Sequence, residues 1–589
     1  MTLSLDRWRD RLGLALLAAM VSIPFLHPRH LNPIPSFWAE WWAVALGLAA
    51  AAALLTRGDA WRPARLPGVM LIPLIFCAAA IIQIALRRVL FVEQALLHAA
   101  MLLWAALLML LGRHLRDRFG PERIIDLLAA VLLAGALVNA IIALLQLQGA
   151  TAFAGPWIFP RFGGQSPYGN LGQANHLNHQ MWLGVMSAAY LHLRGRMSLK
   201  LLWAAALPLL FAATLTSSRS VFLYAALLPL LAWPVARLGE GQLEWRRWLK
   251  LTLPILPAVV LLQWVFKNLG GWLAWLGAEA AAGGLIGGTA SDRLFQEVGG
   301  TNIRLRLIAA AWREFLDAPW LGNGIGTLPW KLFLANEQTS PEWAPGVAEH
   351  AHNVVLHLLA EYGLVASLLA AVVLALWARR FFSGRWQPQQ LWIAGILGIA
   401  AIHSLLEYPL WYGFFLGLAA LLLGMSDEST LEVNNGWRGA ALVTVIVVAA
   451  GAPLAGLQKD YATLETMLNR RHSDATWRSG IDDLLRLQRN SLLAPHVLVT
   501  LAVAMEPKRE QLEAKIAVCL AAQRFAPSKH IVFKCAVLLQ MGGREGEAAR
   551  QLQRSLRAFP DERAQVVAEL RRMAAADPGL APLADLAAR

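Results

Sequence analysis

Pro341-Glu-Trp-Ala-Pro-Gly-Val-Ala-Glu-His350-Ala-His352-Asn353 runs directly into Val354-Val-Leu-His-Leu-Leu-Ala-Glu361-Tyr-Gly363. Titratable groups end where a hydrocarbon-compatible helix begins, so the junction reads as a membrane–water boundary. A histidine there, with an ordinary pKa of about 6.5, takes and gives protons near neutral pH. Histidines also merely decorate helix ends, and the rest of the chain has to weigh one use against the other.

Outward from this junction the chain stays apolar. Its 589 residues are 57% hydrophobic and 15% charged, with mean hydropathy +0.49, which is too apolar and too long for one soluble domain. Taking about 20 apolar residues as a span, spans are expected near 12–27, 38–56, 67–86, 92–113, 123–148, 177–193, 199–216, 220–237, 250–268, 353–378, 389–405, 409–425 and 439–457. The expected fold is all-α. Residues 1–457 form a polytopic membrane bundle of about 12–14 transmembrane helices, and residues 458–589 form a separate charged, amphipathic helical domain. The run Leu12 to Leu26 follows Arg7, Arg9 and Arg11 as in a signal peptide. No convincing small-residue cleavage site accompanies it, and it reads as an uncleaved first span.

The net charge of +14 does not point to nucleic acid, because most basic residues of the apolar part fall in short loops, where they set membrane orientation. With the amino terminus inside, the inner loops Arg57 to Arg65, Arg113 to Arg118, Arg194 to Lys200, Arg237 to Lys250 and Arg379 to Arg385 are all basic. The outer loops, about 150–176 and 269–352 among them, are sparse in Lys and Arg. An odd number of spans then places 458–589 in the periplasm of a bacterium with two membranes. Tryptophans such as Trp38, Trp203, Trp330 and Trp411 lie near segment ends as interfacial anchors. Residues His530 to Pro560 read as a helix-turn-helix whose closing proline echoes Pro527 at roughly the 34-residue period of tetratricopeptide repeats. Three cysteines, Cys77, Cys519 and Cys535, make no Cys-rich metal site or obligatory disulfide framework. Cys519 and Cys535 either face each other on paired helices or stay buried as thiols.

Polar groups near membrane depth are expensive, and four outward clusters ask for a reason. Arg161 to Gln180 carries Gln173, Asn175 and His176, whose donors and acceptors suit hydroxyl-rich ligands and equally suit a capped loop entering a helix. Thr214 to Ser220 holds Arg219, a guanidinium that needs an anion or a carboxylate. Thr301 to Gly324 holds Arg304 and Arg306 on an amphipathic, interface-lying helix stopped by Pro319 and the glycines. The fourth is the opening stretch, with His403 and Glu407 at i and i+4, a spacing that permits a hydrogen bond. Two arginines and a histidine suggest pyrophosphate binding with proton transfer. Glu349, His350, His352 and His403 offer a competing metal set, but the spacing is not HExxH and no acidic cluster accompanies it.

Arg304 followed by Trp312, Pro319-Trp-Leu-Gly-Asn-Gly324, then His352-Asn353 with Glu361-Tyr-Gly363 resembles the bacterial O-antigen ligase and polymerase superfamily. Gly169-Asn170-Leu-Gly-Gln173-Ala-Asn175-His176, Ser404 to Tyr412 and the carboxy-terminal helices are similar to its protein O-oligosaccharyltransferase branch, which glycosylates pilins and other periplasmic proteins. The resemblance covers nearly the whole chain. It implies metal-independent transfer, without a cofactor, of a glycan carried on undecaprenyl diphosphate. It also implies a functional trio matching Arg219, Arg304 and His352, and glycan contacts matching Gln173, Glu407 and Tyr408. Asn175, His176, Asn353, Arg306 and His350 complete the expected substrate-binding set. The expected partners are the lipid-linked oligosaccharide, an acceptor protein and the bilayer. The alternatives are ligation to lipid A core or glycan polymerisation with the same trio, and a glycan-lipid transporter or scaffold.

Overall fold

The computed structural model describes residues 2–147, 152–162, 166–241, 243–268, 303–340, 343–469 and 474–589. Residues 269–302 of the expected outer loop 269–352, Thr301 and Asn302 among them, lie outside them, as do residues 163–165, 341 and 342. The described chain is helical apart from one two-stranded ribbon. In order the helices are α1 (Thr2–Met20), α2 (Phe37–Leu55), α3 (Leu71–Ala85), α4 (Val92–Phe119), α5 (Pro121–Leu147), α6 (Ala174–Leu193), α7 (Leu199–Leu215), α8 (Ser220–Leu230), α9 (Ala232–Leu238), α10 (Trp245–Thr252) and α11 (Ile255–Asn268). They continue as α12 (Ile303–Asp317), α13 (Leu328–Gln338), α14 (Val354–Phe381), α15 (Pro388–Leu406), α16 (Gly413–Ser426) and α17 (Trp437–Asn469). The carboxy-terminal set is α18 (Asp474–Asn490), α19 (Ala494–Ala504), α20 (Leu512–Phe525), α21 (Lys529–Met541), α22 (Glu545–Ala558), α23 (Arg563–Ala576) and α24 (Ala581–Ala588).

Among the described residues nine helical stretches are long and apolar enough to cross a membrane, and the protein is a multi-pass membrane protein. The remaining expected spans are helices of a different make. α6 is diluted by His176, Asn178, His179 and Gln180, α7 and α16 are short, and α1 carries Arg7, Arg9, Asp10 and Arg11.

Two compact units are present. The first comprises Met1–Leu74, Met101–Gly299 and Ala370–Leu454. Its core is a continuous layer of Leu, Ala and Met from α1, α2, α4 to α8, α15 and α16. Residues such as Ile141, Leu230, Trp233 and Trp264 stand exposed, as bilayer-facing positions do. α4 and α16 approach backbone to backbone: a Cβ at Gly424 would lie 1.9 Å from Met109 O, and one at Gly112 2.1 Å from Leu421 O, the small-residue contact that lets membrane helices close. The ribbon pairs β1 (Ala64–Pro67) antiparallel with β2 (Thr430–Val433). Around it Arg57, Arg113, Arg116 and Arg118 are matched by Asp10, Asp59, Asp117 and Glu428.

The second unit comprises Ile75–Ala100, Gly300–Leu369 and Ala455–Arg589. Its carboxy-terminal helices α19 to α24 stack on a core that includes Ile531, Leu538, Leu552, Leu570 and Leu583. Cys519 of α20 and Cys535 of α21 are joined by a disulfide inside it, so of the two readings open in the sequence the bonded one holds.

Candidate functional site

In the second unit, the loop ahead of α14 is held largely by side chains bonded to its backbone. Asn353 caps the helix, its Oδ1 accepting from Leu356 N at 3.1 Å. His352, just before it, takes φ +50, a left-handed conformation that a residue with a Cβ adopts only when its surroundings enforce it. One source of that constraint is His357, which the sequence reading passed over. Its Nδ1 lies 3.4 Å from Ala351 N, which donates to it. Its Nε2, the ring's donor in that tautomer, faces Glu361 Oε2 at 3.3 Å. Both side chains are buried. Glu361 Oε1 accepts in turn from Leu328 N at 3.2 Å, and the His350 and His357 rings lie 5.2 Å apart. Burial first, then the neighbouring His357, His98 and His352, hold His350 well below its ordinary value of 6.5, while burial raises Glu349.

The motif residues Pro319 to Gly324 and Glu361 to Gly363 interlock. Asn323 N donates to Ala360 O at 2.9 Å, Gly324 N to Glu361 O at 3.1 Å and Leu364 N to Pro319 O at 2.7 Å. Gly363 breaks the helix with φ 77 and ψ 179, and a Cβ there would lie 2.4 Å from Gly322 N and 2.5 Å from Trp320 O. Glycine is required because two main chains touch. Gln83, buried on α3, ties both strands of the interlock through Leu321 O at 2.8 Å and Glu361 O at 2.7 Å.

α12 presents Leu307, Ala310 and Ala311 to a small core shared with Leu328, Leu332, Ala351 and Ala360. The helix carrying Arg304 and Arg306 is therefore packed against the residue between His350 and His352. Arg306 donates to Ala344 O at 3.1 Å; Arg304 is half-buried.

In the first unit, Asn175 Nδ2 donates to Glu407 Oε1 at 3.0 Å. The His176 ring lies edge-on to Tyr412 with centroids 4.4 Å apart, and Tyr408 stacks on Tyr412 at 6.0 Å. Gln173 precedes α6, its Oε1 buried and without a hydrogen-bond partner among the described residues. α15 ends at Leu406 and Glu407 turns to extended angles, so the helix does not run through both members of the i, i+4 pair His403 and Glu407. His403 Nδ1 instead lies 2.7 Å from His179 Nδ1, and His179 stacks on Phe415. Sequence reasoning missed His179 and Tyr412; one α-helical turn between His176 and His179 was the available signal. Arg219 opens α8 as a half-buried residue after Ser217, which takes φ +53. The hydroxyls of the same stretch bond locally, Ser218 to Ser220 at 2.8 Å and Thr216 to Ala213 O.

The structure thus gathers Asn175, His176, Glu407 and Tyr408 within the first unit, and brings the Arg304 helix to the His350–Asn353 loop within the second. Arg219 belongs to the first unit and Arg304 and His352 to the second. Among the described residues no group of three or more His, Cys, Asp or Glu side chains is arranged to hold a metal ion. A small recess lined by Arg116, Arg380, Arg385 and Gln389 contains none of the expected site residues.

Fold and site define a multi-pass helical membrane protein with amide, histidine and arginine side chains gathered at helix ends. Residues 204–371 match the family model described as O-antigen ligase, and residues 391–573 match that described as virulence factor membrane-bound polymerase, C-terminal. The first match contains Arg219, Arg304, Arg306, His350, His352 and Asn353, and the second contains Glu407 and Tyr408. The chain is 27% identical over 455 residues to a general O-oligosaccharyltransferase of Acinetobacter baylyi, an alignment covering 76% of this chain and 75% of that one. These matches support the O-antigen ligase and oligosaccharyltransferase superfamily, and with it glycan transfer as the general chemistry.

Proposed function

We propose that the protein is an O-oligosaccharyltransferase of the bacterial inner membrane, moving a glycan en bloc from undecaprenyl diphosphate to Ser or Thr of exported proteins such as pilins. The observation that carries this reading is the His350–Asn353 loop, fixed at the mouth of an apolar helix with the Arg304 helix packed on it. His352 takes the proton of the acceptor hydroxyl as its oxygen attacks the anomeric carbon. The bond from that carbon to the diphosphate oxygen breaks, and the diphosphate leaves with the electron pair. Arg219 and Arg304 bind the diphosphate and stabilise the charge that develops on it. A single displacement inverts the configuration. Gln173, Asn175, His176, Glu407 and Tyr408 contact the glycan, Arg306, His350 and Asn353 complete the binding set, and no metal takes part. The relative's printed name, general O-oligosaccharyltransferase, supports transfer of an oligosaccharide to a hydroxyl oxygen. The basic loops support an outward-facing site, and the Cys519–Cys535 disulfide supports a periplasmic carboxy-terminal domain, since such bonds persist in oxidising compartments. The matched family descriptions favour a second acceptor class, a sugar hydroxyl of lipid A core or of a growing polymer.

The test is incubation of purified protein in detergent with a lipid-linked glycan and an acceptor protein, read by intact mass. His352→Ala is expected to lower transfer by about 10²–10⁴-fold; full activity in that variant would remove the residue from the mechanism. Transfer to lipid A core but to no protein would select the second acceptor class.

A further inference from the structure

We infer that the carboxy-terminal helices are a positioning part of the transfer site, with Arg554 and Arg557 bracing, through α13, the segment that ends in His352; this rests on the proposed role of His352.

Helix α13 ends at Gln338 with backbone carbonyls that have no partner within the helix. α22 supplies one: Arg557 Nη1 donates to Glu337 O at 2.7 Å. One turn earlier on α22, Arg554 donates to Glu337 Oε2 from Nε at 3.0 Å and again from Nη2, a charge-assisted contact in which two donors converge on one carboxylate oxygen. Below this pair Phe333, fully buried, shares a core with Val532 and Ala558.

The same helix holds the segment that leads to the histidines. Asn336, fully buried, donates from Nδ2 to Gly346 O at 2.7 Å and accepts at Oδ1 from Gly346 N at 2.9 Å. One amide thereby fixes both backbone groups of Gly346, whose φ is +71. Val347 packs into the Phe333 core, and Arg306 ties Ala344 O from α12. The chain from Ala344 to Val347 is therefore held by α12 and α13, and α13 is locked by α22. His350 and His352 follow within five residues of Val347. A reactive side chain displaced by about 1 Å loses about 10²-fold in rate, so a fault in the brace registers in turnover before it registers in donor binding.

The experiment compares full-length wild type with Glu337→Arg, Arg554→Glu and the double exchange, using lipid-linked glycan and an acceptor protein, with hydrogen–deuterium exchange over residues 343–353 and melting temperature measured in parallel. Each single exchange is expected to lower kcat about tenfold with KM for the donor unchanged, and to speed amide exchange in 343–353. The double exchange is expected to restore both to within about threefold, as an interacting pair requires. Arg550→Glu, an exposed charge change on the same helix, is expected to change neither. Unchanged amide exchange in the single variants, or failure of the double exchange to rescue, overturns the brace. Altered exchange in a protein whose wild type transfers no glycan keeps the brace and overturns the transfer reading instead.

Discussion

The 157–180 region of the first unit and the 319–363 region of the second solve opposite problems. In the first, side chains satisfy backbone. Gln146 alone makes four hydrogen bonds, donating to Phe159 O and Gly169 O and accepting from Tyr168 N and Gly169 N. Asn139 and Asn170 extend the network to Gln180, Phe25 O, Leu26 O and Trp157 O. In the second, backbone satisfies backbone across the Gly322–Gly363 contact, and a few buried side chains, His357, Glu361 and Asn336, then orient a single short loop. The lesson is that polar residues in an apolar chain serve two ends, one set giving a loop its shape and the other aiming a reactive group.

If that division is right, the two regions fail differently. Gln146→Leu takes the partner from four backbone groups, three of them in buried bonds, and at about 1 kcal/mol or more for each buried group the expected cost is about 3 kcal/mol, read as a large fall in melting temperature in detergent. A stable Gln146→Leu protein would break the comparison on the side of the first unit. Glu361→Gln preserves volume, and the new amide can still accept from Leu328 N. Its NH₂, however, faces the donor nitrogen of His357, which favours the other tautomer and withdraws the acceptor from Ala351 N–H. Turnover is expected to fall about 30-fold, or about 2 kcal/mol in the barrier, with little change in melting temperature. A variant that loses stability and keeps its turnover would show that Glu361 shapes rather than aims.

The smallest effect concerns pH. His350 is held neutral in the fold, well below 6.5, so below pH 6.5 the unfolded chain binds a proton that the folded protein refuses. The stability contributed by the neutral ring is present above pH 6.5 and is lost as pH falls toward the depressed folded value. His350→Gln should flatten the acid-side fall in stability by at most about 1.4 kcal/mol per pH unit. Parallel pH profiles for the variant and the wild type would show that the ring is not buried as described.

Hydropathy exposed the membrane character, and Arg304, His352 and the glycine motifs stood out as polar or flexible residues placed at cost. Their uses were less legible. The Pro319–Gly324 motif looked like a helix stop and is an interlock with Gly363, which shows only when both ends are in view. His357 sat unremarked inside an apolar run because its partners are a backbone N–H and a carboxylate one turn away. His403 and Glu407 had the spacing for a helical pair, but α15 ends between them and each bonds to a residue of α6. The division into units was equally hidden, since the second draws on residues 75–100, 300–369 and 455–589.

What the sequence determined alone is the set of properties that add up along a chain: apolar length, loop charge and the helical period, each a sum over neighbouring residues. Tertiary structure decided which polar groups meet. Gln83 and Glu361 are 278 residues apart and Arg554 and Glu337 are 217 apart. A hydrogen bond requires its two atoms within about 3 Å of each other, a condition on folded geometry that no local pattern encodes.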